Sequence, residues 1–284
     1  MSHRSRPILK SLVLSVLFVS VSPCLANEKP AGTSFVQAGV VLTVSESKRL
    51  IARGVAQTPM VQHALKEGML IICKGTTNTY VAEEILGEKI RHGSLVFGRV
   101  YPSQGGKKLE DTEPIPEVVL VRGKRDEGLS LAEAVTKLEP GDVVLKGGNA
   151  LDYENKVAGV FIGSPTGGTT GTIMPYVVAR KGHLIIPIGL EKLVSGSVLE
   201  ISEKMREPIH TLGKVPSMFP LMGHIYTEIE ALQEMADVEV FQASAGGIGG
   251  AEGAVWLIVR GPQAKVEKAL NIVKEIQGEP PFVE

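Results

Sequence analysis

The sequence predicts an α/β fold: a mostly parallel sheet covered by helices on both faces, followed by a small α+β domain at the C-terminus. Three observations predict it. Short apolar runs that read as buried strands, such as residues 69–73, alternate with stretches of helical period. From residue 40 to about residue 190 the order strand, loop, helix recurs, the pattern of parallel strands joined by crossover helices. Glycine supplies 32 of the 284 residues, about 11% against a usual ~7%, and it clusters between these elements.

Residues 40–44 read as the first strand. Thr43 and Glu46 stand at capping-box spacing, and 45–66 carries helical periodicity through Leu50, Ile51, Val61 and Leu65 until Gly68 stops it. The buried strand 69–73 runs into Gly75-Thr76-Thr77-Asn78-Thr79 and a helix to Leu86, stopped by Gly87. Residues 95–101 and 118–122 read as strands, with the Gly/Pro/charge-rich stretch 102–116 between them as an exposed loop or lid. Ser130 and Glu133 form a second capping box for a helix ending near Leu138. Strands at 142–145 and 157–162, a helix over 172–180 and a strand at 183–188 complete the larger domain, 27–210. Three prolines, Pro208, Pro216 and Pro220, mark 208–220 as the linker. Beyond it, an amphipathic helix at 226–235, strands at 238–244 and 254–260 around a glycine-rich loop, and a closing helix at 266–276 suggest a ferredoxin-like domain over 220–284, with room for a short extra strand before Tyr226.

Residues 1–26 stand apart. Arg4, Arg6 and Lys10 precede an apolar run, and Pro23-Cys24-Leu25-Ala26 ends it, the layout of a secretory signal cleaved after Ala26. An organellar presequence or a misassigned start is the alternative, and Pro23 fits poorly beside a lipidated Cys24. Export to the periplasm or beyond is the expectation. Once the signal is removed no stable membrane span is expected, because the apolar run falls short of the ~20 residues a bilayer requires.

Charge and composition narrow the function. The chain holds 30 basic and 31 acidic residues, a net charge of -1, and loss of the signal leaves 27 basic residues, a charge of -4. This balance argues against a nucleic-acid partner, which calls for a basic excess or face. Aromatic residues at 5% disfavour recognition by stacking. After cleavage Cys73 is the one remaining cysteine, so no internal disulfide is expected. The scattered histidines predict no metal, and nothing calls for a cofactor. Homo-oligomer formation stays open.

Three glycine-rich turns are candidate ligand sites. Gly75, Thr76, Thr77, Asn78 and Thr79 follow a buried strand and open a helix, where free N–H groups and the positive helix end suit an anion; ordinary capping by Asn78 or Thr79 is the alternative. It is no P-loop, since the lysine and its spacing are absent. Lys146, Gly147, Gly148, Asn149 and Asp152 follow the strand 142–145, and the carboxyl ends of parallel strands are where ligands bind in open sheets. Here Lys146 can neutralise phosphate or carboxylate while Asn149 and Asp152 hold hydroxyls, or the turn is simply solvated. Gly167, Gly168, Thr169 and Thr170 lie in the glycine-rich segment 163–171, which can wrap a substrate or serve as a connector. The cluster 246–253 reads as a hairpin loop with Glu252 as a surface charge. Ser45-Glu46-Ser47-Lys48 has the S-x-x-K form of serine penicillin-binding enzymes, but the S-D-N and K-T-G partners are missing and a capped helix start accounts for Ser45.

At these turns the chain resembles the superfamily of ribose-5-phosphate isomerases, glucosamine-6-phosphate isomerases and CoA transferases, over about residues 40–200. Gly75-Thr76-Thr77-Asn78-Thr79 looks like the G-T-G-S-T phosphate turn of the pentose isomerases. The stretch from Asp142 through Lys146-Gly147-Gly148-Asn149-Ala150-Leu151-Asp152 is similar to their D-G-A-D-E-V-D segment. The resemblance implies the fold and the position of the site. Where that pattern carries acidic residues this chain has Lys146, Asn149 and Ala150, with Asp152 alone retained, so the proton-moving base of an enediol isomerase is missing from its place. Two classes of function stay open. One is an enzyme acting on a phosphorylated or acidic small molecule, with Asp152, Glu83 or Glu84 as base. The other is a non-catalytic binding or regulatory protein that keeps the pocket. Export weakens the first, because sugar phosphates and CoA esters are mainly cytosolic.

Overall fold

The computed structural model describes residues 34–105, 109 and 112–283; the expected signal at 1–26 lies outside them. Its fold is mixed α/β. Strand β1 (Phe35–Leu42) leads into α1 (Val44–Gln57) through the expected capping box: Thr43 Oγ1 accepts the Glu46 N–H, and the Glu46 carboxylate accepts the Thr43 N–H at 2.8 Å. The helix expected over 45–66 is two helices. Thr58 is extended, with φ -60° and ψ 142°, and its hydroxyl caps α2 (Pro59–Glu67), whose first residue, Pro59, has no N–H to continue α1. Next come β2 (Met69–Ile72), α3 (Thr76–Leu86), β3 (Val118–Val121) and β4 (Lys124–Arg125). The expected strand at 95–101 is absent. That segment is irregular, with Phe97 and Val100 exposed where a strand of the core would bury them.

The chain continues with α4 (Leu131–Thr136), opened by the second expected capping box at Ser130 and Glu133. Then follow β5 (Val143–Leu145), β6 (Ala150–Asp152), β7 (Val157–Ile162), α5 (Gly168–Ala179), β8 (His183–Pro187) and α6 (Val198–Lys204). Last are β9 (Ser217–Met222), β10 (His224–Tyr226), α7 (Glu228–Ala236), β11 (Glu239–Ala245), β12 (Val255–Pro262) and α8 (Gln263–Ile276).

The central sheet has six strands in the order β10-β8-β5-β2-β3-β4. Pairing is parallel from β10 through β8 and β5 to β2, and antiparallel from β2 to β3 and β4. The inner strands Met69–Ile72 and Val143–Leu145 are buried at every position, which their unbroken apolar sequence requires.

Two further sheets stand beside the central one, where the sequence predicts one mostly parallel sheet and a small ferredoxin-like C-terminal domain. Strands β6, β7 and β9 form an antiparallel sheet of their own, because the short connection between β6 and β7 permits a hairpin and not a parallel crossover. Strand β9 occupies part of the expected linker and carries Pro220 opposite Gly159. The C-terminal strands β11 and β12 pair with β1, in the order β1-β12-β11, while α7 and α8 pack against α1. The expected boundary at 208–220 therefore does not divide the chain, and Ser34–Glu284 is one compact unit. No described helix is long and apolar enough to cross a membrane.

Candidate functional site

Three expected turns meet in one cleft of about 580 Å³. Lys74, Gly75, Thr76, Thr77 and Asn78 enter it after β2, and Lys146, Gly147, Gly148 and Asn149 after β5. Gly163, Ser164, Gly167, Gly168, Thr169 and Thr170 enter it after β7. The first two turns lie at the carboxyl ends of neighbouring parallel strands, in register through Ile72 and Leu145. The third follows a strand of the antiparallel sheet, and β7 reaches the same place because the Asn149 N–H donates to the Gly159 carbonyl at 2.7 Å. The Asn149 side-chain oxygen accepts the Phe161 N–H at 3.0 Å, so this residue binds loop to strand.

Two helix N-termini open into the cleft. Helices α3 and α5 start after Gly75 and Gly167, and neither has a side-chain cap. Helices α1, α2, α4, α6 and α7 are capped by Thr43, Thr58, Ser130, Ser197 and Thr227, and α8 follows Pro262 without a cap. At the cleft, backbone N–H groups and helix dipoles are thus left for another acceptor. Asn78 is not the cap that sequence suggests. Its amide donates to the Cys73 and Leu145 carbonyls at 2.8 and 3.1 Å, tying β2 to β5. The fully buried Asn78 Oδ1 and the Thr77 hydroxyl oxygen have no hydrogen-bond partner.

Four cations, Lys74, Arg99, Lys146 and Lys192, line the cleft, and among the described residues no Asp or Glu does. The Lys146 ammonium donates to the Gly147 carbonyl at 3.1 Å and the Lys192 ammonium to the Gly148 carbonyl at 2.8 Å. Burial holds the Lys146 amine below the usual lysine value; nearby Lys192 pushes it the same way, while Cys73 and Glu117 oppose. Arg99, Lys192 and the segment through Val96, Phe97 and Val100 were not singled out from sequence. Lys192 had a usable signal, since it follows β8, the next parallel strand to end on this edge.

Other expected residues lie elsewhere. Thr79 is buried and its hydroxyl donates to the Gly75 carbonyl at 2.9 Å, inside α3. Asp152 is outside the cleft lining. Its carboxylate accepts the Asn155 N–H and side-chain amide and the Val198 N–H, organising the β6–β7 turn and the start of α6. Burial works against its ionisation, and those donors outweigh it and hold the carboxyl below its usual value. Glu83 and Glu84 pair with Arg49 at 2.5 and 2.9 Å and are likewise absent from the lining. The carboxylates considered as bases are therefore spent on structure. No family model, curated protein or solved structure matches the chain.

Proposed function

We propose that the chain binds an anionic small molecule, phosphorylated or carboxylate-bearing, in the cleft between the turns after β2, β5 and β7. One observation carries this reading: two uncapped helix N-termini and four basic side chains line a single cleft with no carboxylate among its described lining. An anion there accepts N–H groups that have no other partner and offsets the mutual repulsion of the cations. The resemblance of segments 75–79 and 142–152 to the sugar-phosphate isomerase and CoA-transferase superfamily supports this position for the site, and an isomerase- or transferase-like enzyme is one reading of it. The alternative, a binding or regulatory protein without catalysis, is favoured by the displacement of Asp152, Glu83 and Glu84 from the cleft. The layout of residues 1–26 supports an exported protein, and N-terminal sequencing of the native material tests it: an intact Met1 excludes cleavage.

The cleft is tested by titrating the protein with inorganic phosphate, following the amides of residues 75–78 and 167–170 by NMR. Both turns shift together, and Lys192→Met weakens binding by about 1.5–3 kcal/mol, the worth of a charged hydrogen bond. Shifts confined to exposed lysines elsewhere, or undiminished affinity in the variant, would discard the site.

A further inference from the structure

Lys146 is the cleft residue that anion binding alone explains least. It leaves the end of β5 half-buried, and among the described residues its ammonium has one hydrogen bond, to the Gly147 carbonyl at 3.1 Å. No carboxylate pairs with it among the described residues, while Lys192 faces the same cleft. A half-buried ammonium with no paired carboxylate and a cationic neighbour is pushed towards the neutral amine, the reactive form of lysine, and the opposing pull of Cys73 and Glu117 does not reverse that direction. Two buried polar atoms of the lining without a hydrogen-bond partner, Thr77 Oγ1 and Asn78 Oδ1, stand on α3, and the Asn78 amide donates to the carbonyl of Leu145, next to Lys146.

We infer that Lys146 is a nucleophile that forms an imine with the carbonyl carbon of an anionic aldehyde or ketone, whose charged group is held at the N-termini of α3 and α5. The inference rests on the anion-binding reading above. The Nζ lone pair attacks the carbonyl carbon, the carbonyl π electrons move to oxygen, and that oxygen takes up a proton to give a carbinolamine. The hydroxyl then leaves as water with the proton lost from nitrogen, and the C=N bond forms. The net change is amine plus carbonyl giving imine plus water, with nothing oxidised or reduced. The Asn78 carbonyl oxygen can accept a hydrogen bond from the carbinolamine hydroxyl, and the Thr77 hydroxyl can donate one.

The test treats the intact protein with glyceraldehyde 3-phosphate and sodium cyanoborohydride, which reduces an imine to a stable secondary amine, and maps the adduct by peptide mass spectrometry. Glyceraldehyde is the uncharged comparison and inorganic phosphate the competitor. The expected result is one adduct per chain, on Lys146, formed at least about tenfold faster with the phosphorylated aldehyde and slowed by phosphate. Lys146→Arg, checked for native circular dichroism, carries none; should that variant not fold, the wild-type map and the phosphate protection decide. Adducts on Lys48 or Lys192, adducts scattered over exposed lysines, or equal rates for the two aldehydes overturn the inference. Phosphate binding to the cleft without a Lys146 adduct removes the nucleophile and leaves the anion site standing; failure of phosphate to bind or protect removes both.

Discussion

Arg49 shows how much of this fold rests on single side chains. Its guanidinium, on the buried face of α1, bonds Glu83 at 2.5 Å, Glu84 at 2.9 Å and both Glu279 oxygens at 2.9 and 3.0 Å. Burial alone would raise the Glu83 carboxyl; Arg49 and the Ile90 N–H outweigh it and hold the group below its usual value. The C-terminal segment is fastened at the same place, where the Gly278 N–H donates to Glu46 and the Phe282 ring stacks on His92 at 4.2 Å. Removing the cation strands Glu83, which is 5% exposed, without its partner. Arg49→Met is therefore expected to cost about 3–5 kcal/mol in urea denaturation, the range for breaking one side of a buried pair. Arg49→Lys recovers only part of this, because one ammonium cannot reproduce a planar fork that reaches three carboxylates. A loss below about 1 kcal/mol, the worth of an exposed pair, would show that the cluster is solvated in solution.

Among the elements, those with local chemical signals were legible and those set by distant partners were not. Both capping boxes appear where Thr43-Glu46 and Ser130-Glu133 place them, because the bonds close within one turn of helix. The two turns after β2 and β5 were legible as a site since strand ends of one direction share an edge. The start of β9 was read as linker because of Pro208, Pro216 and Pro220; the strand holds Pro220 alone and lies at the edge of its sheet, where a missing N–H costs no ladder bond. The reverse error came at 95–101, whose apolar residues resemble a strand while Phe97 and Val100 are exposed beside the cleft. Asp152 was assigned to the ligand because nothing local reveals that Asn155 and Val198 claim its oxygens. The start of α5 is the element on which the cleft is most exposed to test. Gly167 adopts a left-handed conformation, φ 78°, and a Cβ on Gly171 would lie 2.1 Å from the Thr166 carbonyl oxygen, a backbone atom with little room to move. Gly171→Ala is expected to cost about 1–3 kcal/mol by overpacking, measured by denaturant melts. It should also weaken phosphate binding, because Thr169 and Thr170 shift with the helix start. Unchanged stability together with unchanged binding would mean that the turn is loose in solution.

At the scale of the molecule, the joint between α1, the turn after β8 and α7 is held by buried ionisable groups. Glu228, the first residue of α7, is fully buried, and its carboxylate accepts the Leu190 N–H at 3.0 Å. Burial raises this carboxyl from 4.5 to about 7, Glu191 adds to the rise, and bonds from Ser47 and Leu190 oppose it. Lys48, across the joint on α1, is lowered by burial from 10.5 to about 8, with Glu191 and Glu228 opposing and Lys192 assisting. Between pH 4.5 and 7 the folded chain holds the Glu228 proton more tightly than the unfolded chain does. The stability it contributes is therefore complete below about pH 4.5 and is lost as pH rises through about 7. For Lys48 the folded chain releases its proton first, so stability rises from about pH 8 to about pH 10.5. The combined outcome is a minimum in stability between pH 7 and 8, set against the ordinary acid and alkaline losses from other groups. Subtracting variant from wild type reads each contribution together with its coupling to the other group. Relative to Glu228→Gln, which can still accept the Leu190 N–H, the wild type should lose up to about 3 kcal/mol between pH 4.5 and 7. Relative to Lys48→Met it should gain from pH 8 upwards. Urea denaturation at closely spaced pH values measures both differences. A wild-type curve parallel to that of Glu228→Gln from pH 4.5 to 7 would mean that water reaches the carboxylate and that the joint between α1 and α7 opens far more readily than its packing implies.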